Sequence, residues 1–348
     1  MTEEVKKGIE FLKNYDGKKL RIMEVCGTHT HEIFRLGIRK LLSDKIELIS
    51  GPGCPVCVTP AGFIDSAVEL ALDHGVTICT FGDLVRVPGS ETSLQKARGI
   101  GAKVKVVYSP QDAEKYAEEH PEEEVAFLSV GFETTTPSSC IAVRDAEAAG
   151  IKNFSLVTAN KTMPGAYEAM ADYTDIYLYP GHVHAITGLK DCEDMLKKGM
   201  SGVVAGFTAS ELISALAIAV KKYQSGEPFL VNAYPRVVTE EGSLKAKELV
   251  EHYMQPCDAE WRGIGLIPAS GMELREEFAQ FDALKKYGVE KTSGHSNPGC
   301  RCGEVLQGQC QPEQCPLFGK VCTPEHPIGA CMVSNEGTCS AHYLYGRN

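Results

Sequence analysis

Leu20-Arg21-Ile22-Met23-Glu24-Val25-Cys26-Gly27-Thr28-His29-Thr30-His31 is the stretch on which the fold turns. Its apolar run Leu20 to Val25 reads as a buried strand ending at Cys26-Gly27, and helix-like spacing then returns through Ile33, Leu36, Ile38 and Leu41. The rhythm repeats with Ile46 to Ser50 as strand, the loop Gly51 to Cys57, a helix from about Pro60 to Asp73, Val76 to Phe81 as strand, then another helix and strand to about Tyr108. Such alternation specifies a parallel sheet with covering helices. A charged stretch at Glu118 to Glu124 closes this unit. The pattern restarts with Val125 to Val130, a helix after Pro137, and strands at Phe154 to Val157, Ile176 to Tyr179, Val203 to Ala205 and Phe229 to Val231, with a clear helix at Ser210 to Lys222. A helix (Glu240 to Tyr253) and a Gly-Pro-rich strand region (Gly263 to Ser270) then lead into a cysteine-dense tail. The expected organisation is one α/β domain over 16–120, a second over 121–235, and a cysteine-rich domain over 236–348, which the amphipathic helix within 1–15 is a candidate to join.

The chain has 348 residues, 43% hydrophobic and 23% charged, in the range of a soluble globular protein. Its net charge of -11 comes without a basic block, which argues against nucleic-acid binding and against attraction to an anionic membrane. The amino-terminal residues lack the apolar core of a secretory signal, and no stretch approaches 18 apolar residues, so the expected location is the cytoplasm. In that reducing compartment a cysteine cluster points to metal or redox chemistry before a disulfide scaffold.

Three loops carry candidate chemistry, and all follow predicted strands, where ligands bind in parallel α/β sheets. Cys26-Gly27-Thr28-His29-Thr30-His31 places a thiol and two imidazoles at a strand-to-helix turn, where helix amides would favour a thiolate. That suits iron ligation or a nucleophile; the bland alternative is a buried cysteine beside helix-capping residues. Gly51-Pro52-Gly53-Cys54-Pro55-Val56-Cys57 is a C-x-x-C loop, fit for a redox pair or for half of a structural zinc site. In Gly131-Phe132-Glu133-Thr134-Thr135-Thr136-Pro137, hydroxyls and amides offer a site for an anion or cyanide-like ligand and Glu133 a proton shuttle, with Glu133 and Thr134 the candidate catalytic residues; a capping threonine run is the alternative. His182 and His184 fall on one face if the backbone is extended, but no partner residue fixes them as ligands. Cys79, Cys140, Cys192 and Cys257 stand alone and read as structural.

Seven of the fourteen cysteines, Cys300, Cys302, Cys310, Cys315, Cys322, Cys331 and Cys339, lie in the last 49 residues among prolines and glycines. Such a segment cannot build a core unaided. Cys302, Cys315, Cys322 and Cys339 supply four thiolates whose long, uneven spacing suits a 4Fe-4S cluster better than zinc, with Cys300 as an alternative first ligand.

Taken together, CGTHTH at Cys26 to His31, GPGCPVC at Gly51 to Cys57, GFETTTP at Gly131 to Pro137 and the tail CRCGEVL, CPLFGKVCTP and GACMVSNEGTC resemble the HypD family of hydrogenase maturation factors nearly end to end. The resemblance implies two Rossmann-like parallel-sheet α/β domains and a smaller iron-sulfur domain. It implies a cytoplasmic scaffold, not a conventional turnover enzyme, on which the iron centre of nickel-iron hydrogenases acquires its cyanide and carbon monoxide ligands as Fe(CN)2CO. Its implied partners are a HypC-type chaperone and a HypE-type cyanide donor. Carried over by motif, Cys26 ligates the assembling iron with support from His29, Cys54 and Cys57 form a redox-active pair, and the tail quartet holds the 4Fe-4S cluster. The alternative function is a cluster-dependent thiol-disulfide reductase, which leaves CGTHTH and GFETTTP without roles.

Overall fold

The computed structural model describes residues 3–346. Its strands are β1 (Leu20–Glu24), β2 (Ile46–Ser50), β3 (Thr77–Thr80), β4 (Val104–Val106), β5 (Val125–Ser129), β6 (Phe154–Thr158), β7 (Asn160–Lys161), β8 (Ile176–Pro180), β9 (Ser201–Ala205), β10 (Leu230–Asn232), β11 (Met254–Trp261) and β12 (Gly265–Leu274). They form two all-parallel sheets, ordered β10-β9-β8-β1-β2 and β4-β3-β5-β6, and an antiparallel sheet β11-β12-β7. Strands such as β3, β5, β8 and β9 are buried along their whole length, as parallel strands covered on both faces must be. The α/β class with Rossmann-like parallel sheets and a cysteine-rich region is as expected.

The division at residues 120 and 235 does not follow the sheets. β1 and β2 share a sheet with strands from 176 onward, joined through the pairing of β1 with β8, while the segment from β3 to β6 forms the other sheet. Alternation of strand and helix marks parallel pairing, but a crossover can return to either of two sheets and the pattern is the same. The helix Glu3–Lys13 buries Val5 and Leu12 on the first sheet with Leu20, Ile22, Leu212 and Leu216, not on the tail. β11 was absent from the strand pattern because it continues directly from the helix Leu244–Tyr253, with no turn residue between.

The strand order of each parallel sheet reverses once, between β1 and β8 in the first and between β3 and β5 in the second. Crevices open at such switch points, beyond the carboxyl ends of the strands. The Cys26 loop follows β1, and the Glu133 loop follows β5. Among the described residues no helix is long and apolar enough to cross a membrane.

Candidate thiol and metal site

Cys26 caps the amino-terminal end of the helix Gly27–Arg35 from an extended backbone, φ -149° and ψ 123°. The amide of Gly27 donates to the carbonyl of Gly53 at 2.8 Å, and Gly53 lies against Cys26 so closely that a Cβ there would sit 2.2 Å from the Cys26 nitrogen. Glycine is therefore required for the two loops to meet. Immediately after it, Cys54 caps the short helix Pro55–Val58, and Cys54 and Cys57 are joined as a disulfide with their Cα atoms 5.3 Å apart. Both are buried. The first two motifs thus form one site.

A carboxylate that the motifs do not include anchors them. Glu24, in β1 and fully buried, accepts from the Thr30 hydroxyl at 2.7 Å and the Ser50 hydroxyl at 3.2 Å, and pairs with the guanidinium of Arg39. Thr30 belongs to the Cys26 helix and Ser50 precedes Gly51, so one carboxylate holds the starts of both loops. Its strand carries a second ionisable residue, Arg21, and only burial separates the two: Glu24 is fully enclosed and Arg21 is not.

Burial overrides the helix amides at Cys26. The thiol is pushed up to about 12, chiefly by desolvation and further by Glu336, while the amides of His29 and Thr28 pull the other way less strongly. The helix amides therefore do not by themselves make Cys26 a thiolate, even though the residue is half-buried and not fully enclosed. His29 is fully buried, stacks on Phe207 at 4.5 Å, and its Nε2 contacts the Gly206 carbonyl at 3.0 Å. A carbonyl only accepts, so Nε2 carries the proton and Nδ1, buried and without a partner, offers a lone pair. Burial lowers this imidazole to about 4, so it is neutral at physiological pH.

The third loop reaches the same core by a different side chain. Phe132 stacks on Trp261 at 5.9 Å and shares a buried cluster with Cys54, Cys57 and Met163. Glu133 accepts from the Met163 amide at 2.7 Å, its other oxygen is buried without a partner, and burial raises its carboxyl to about 7. The hydroxyls of Thr135 and Thr136 both donate to the Phe132 carbonyl, so they are spent within the turn, whereas Thr134 is exposed. His182 and His184 do not share a face. They lie on the helix Gly181–Thr187, where residues two apart diverge: His182 stacks on Phe207 at 3.8 Å, and His184 is buried with Nε2 3.3 Å from the Cys192 sulfur.

The tail closes over both thiol loops. Glu336 accepts from the Thr28 hydroxyl at 2.6 Å, and the carbonyl of Asn335 lies 3.1 Å from His31 Nδ1. The turn Ala330–Met332 packs directly on the disulfide helix Pro55–Val58. On its other side, Cys300, Cys302, Cys315, Cys322 and Cys339 line one small, almost wholly apolar cavity, with Gly329 and Met332 in its wall. A Cβ on Gly329 would fall 2.5 Å from the Cys302 sulfur and 2.6 Å from that of Cys300, so a side chain there would fill the cradle.

The donor set is compatible with a metal or iron-sulfur centre. A tetrahedral zinc thiolate site would hold its sulfurs roughly 3.8 Å apart. Cys300 and Cys302 do approach to 3.2 Å, but among the described residues no three tail sulfurs lie mutually within 4.8 Å. Cys331 is buried but does not line the cavity.

A model of the HypD family, described as the hydrogenase formation hypA family, matches residues 1–346. The chain belongs to the HypD family. It is 42% identical over 342 residues to the hydrogenase maturation factor HypD of Azotobacter vinelandii, covering 95% of this chain and 90% of that protein. It is also 42% identical over 335 residues to the HypD of Escherichia coli strain K12, covering 94% and 90%, and 40% identical over 344 residues to that of Cupriavidus necator, covering 95% and 91%. HypD membership makes this a hydrogenase maturation factor, and the CGTHTH and GPGCPVC motifs that suggested it are the two loops that meet at Gly53.

Proposed function

We propose that the chain is the scaffold on which the Fe(CN)2CO unit of nickel-iron hydrogenases is assembled, together with a HypC-type chaperone and a HypE-type cyanide donor. The observation that carries this reading is the apposition of Cys26 and the Cys54–Cys57 disulfide across Gly53, beneath a tail loop that shields both. Iron is the cargo and Cys26 its thiolate ligand, since low-spin iron with cyanide and carbon monoxide calls for soft donors in a shielded pocket. Because the Cys26 thiol is protonated when metal-free, loading releases a proton, and the free Nδ1 lone pair of His29 is the neighbouring atom able to support the incoming metal.

Opening the Cys54–Cys57 disulfide consumes two electrons and two protons and yields two thiols. A 4Fe-4S cluster held by Cys302 or Cys300, with Cys315, Cys322 and Cys339, would supply electrons one at a time. Glu133, poised near neutrality, and exposed Thr134 are assigned to proton and ligand handling at the loop rim. The test is infrared spectroscopy of the protein copurified anaerobically with its chaperone. Cyanide and carbon monoxide bands are expected for the native protein and lost in Cys26→Ala; persistence of the bands in Cys26→Ala would overturn the ligand assignment. Their absence from the native complex, with a reducible disulfide retained, would favour the reductase reading.

A further inference from the structure

The turn Arg262-Gly263-Ile264 joins β11 to β12, closed by the Ile264 amide donating to the Trp261 carbonyl at 3.0 Å and by Gly263 at φ +79°. This tip is wedged between the disulfide helix and the tail. On one side the Arg262 amide donates to the Val58 carbonyl at 2.7 Å, its Nε to the Thr59 carbonyl at 2.6 Å, and its Nη2 to the Pro88 carbonyl at 3.3 Å. Val58 and Thr59 are the end and cap of the single turn that carries Cys57, so Arg262 satisfies two of that turn's free carbonyls, one with its amide and one with its guanidinium. On the other side Gly263 abuts Gly303, where a Cβ on Gly263 would fall 2.3 Å from the Gly303 Cα, and Gln307 Nε2 donates to the Gly263 carbonyl at 2.6 Å. Gly303 follows Cys302 in the chain.

Arg262 is buried, and the groups near enough to act on its charge are the thiols of Cys302, Cys331 and Cys300 and the carboxylate of Asp65. Its side-chain bonds go to neutral carbonyls, so the positive charge is not spent on them. An arginine cannot shed its proton to relieve burial, unlike lysine. Such a charge is retained at a cost that the carboxylate of Asp65 offsets in part and that negative charge gained at the thiols would offset further.

We propose that Arg262 is a positioning residue of the redox unit, a fixed positive charge between the Cys57 helix and the tail thiols that favours the electron-loaded state on both sides of it. For the tail side this rests on the assignment of a cluster there; for the disulfide side it does not. A one-electron reduction adds one negative charge at the tail, and opening of Cys54–Cys57 creates thiols whose thiolate forms the same cation stabilises. A helix-capping role alone would move neither equilibrium.

The test uses the full chain, purified anaerobically, as native protein, Arg262→Gln and Arg262→Lys. Dithionite titration followed by visible absorption and electron paramagnetic resonance reads the tail, and equilibration with reduced and oxidised glutathione reads the Cys54–Cys57 pair. Arg262→Gln is expected to disfavour tail reduction at least tenfold, about 59 mV for one electron. It should shift the disulfide equilibrium toward the oxidised form by threefold or more. Arg262→Lys, which keeps the charge, should stay within twofold of native in both. Arg262→Gln matching native in the glutathione equilibrium, or Arg262→Lys shifting as far as Arg262→Gln, overturns the proposal. Native protein without iron-sulfur absorption would remove the cluster assignment, while the glutathione equilibrium would still decide the role of Arg262. Should Arg262→Gln fail to fold, a departure of Arg262→Lys beyond twofold is sufficient to overturn it.

Discussion

Replacing Glu24 should loosen both thiol loops at once. Its carboxylate is fully buried, bonded to the hydroxyls of Thr30 and Ser50 and paired with Arg39, whose own side chain is 25% exposed. Removing one partner of a buried pair costs about 3–5 kcal/mol because the other is left uncompensated. Water reaches Arg39, which favours the lower end. The Thr30 hydroxyl can turn to the Cys26 carbonyl, 3.3 Å away, so its loss adds little. Glu24→Gln, which keeps the shape and removes the charge, is therefore expected to cost about 3 kcal/mol. The assay is urea denaturation followed by hydrogen exchange of β1 and β2 amides, since a chain with two sheets need not unfold in one step. Arg39→Met alone should cost a similar amount, and the double variant should cost clearly less than the sum of the two. Cys26 should also alkylate faster in Glu24→Gln. A cost below about 1 kcal/mol, or strictly additive variants, would refute the clamp.

Gly53→Ala would place a Cβ 2.2 Å from the Cys26 nitrogen, and should cost at least the upper part of the roughly 1–3 kcal/mol of overpacking while separating the two loops; hydrogen exchange at the Gly27 amide reads the separation. Glu133 makes the fold sensitive to pH. Its carboxyl is raised from 4.5 to about 7, so between those values the folded state holds a proton that the unfolded state has released, and stability falls as pH rises through the window. Denaturation midpoints of native protein and Glu133→Gln from pH 4.5 to 7 should converge at the acid end and diverge toward neutrality. Metal-free Cys26, raised to about 12, should show an iodoacetamide rate still climbing about tenfold per pH unit at pH 9, and a plateau near neutrality would refute the raised thiol.

Much of the fold was legible because fully buried strands write themselves as apolar runs: Ile46 to Ser50 was read to the residue, and β5 and β8 to within one. Sheet membership was not legible, since β2 and β3 are adjacent in the pattern yet belong to different sheets. The thiol motifs announced themselves by composition, but their meeting depends on a backbone contact at Gly53 that no side chain advertises. Glu24 and Arg262 were passed over because periodicity reports which positions are buried, and says nothing of which buried charges hold loops together. At Cys26 the helix amides are visible in a pattern, whereas the desolvation that opposes them is not.

The interleaving of the two sheets sets an order of events on the ribosome. β1 and β2 emerge first, but β8, β9 and β10, which complete their sheet, follow only after the whole of the other sheet has been made. The second sheet is contiguous, so it can close while the first still has an unpaired edge, and domains generally fold as they become available. The helix that lies on the Cys26 helix, Thr338–Tyr345, follows both sheets in the sequence. The cysteine loops are therefore made long before the helix that covers them, and the cover can pack only once both sheets have been synthesised.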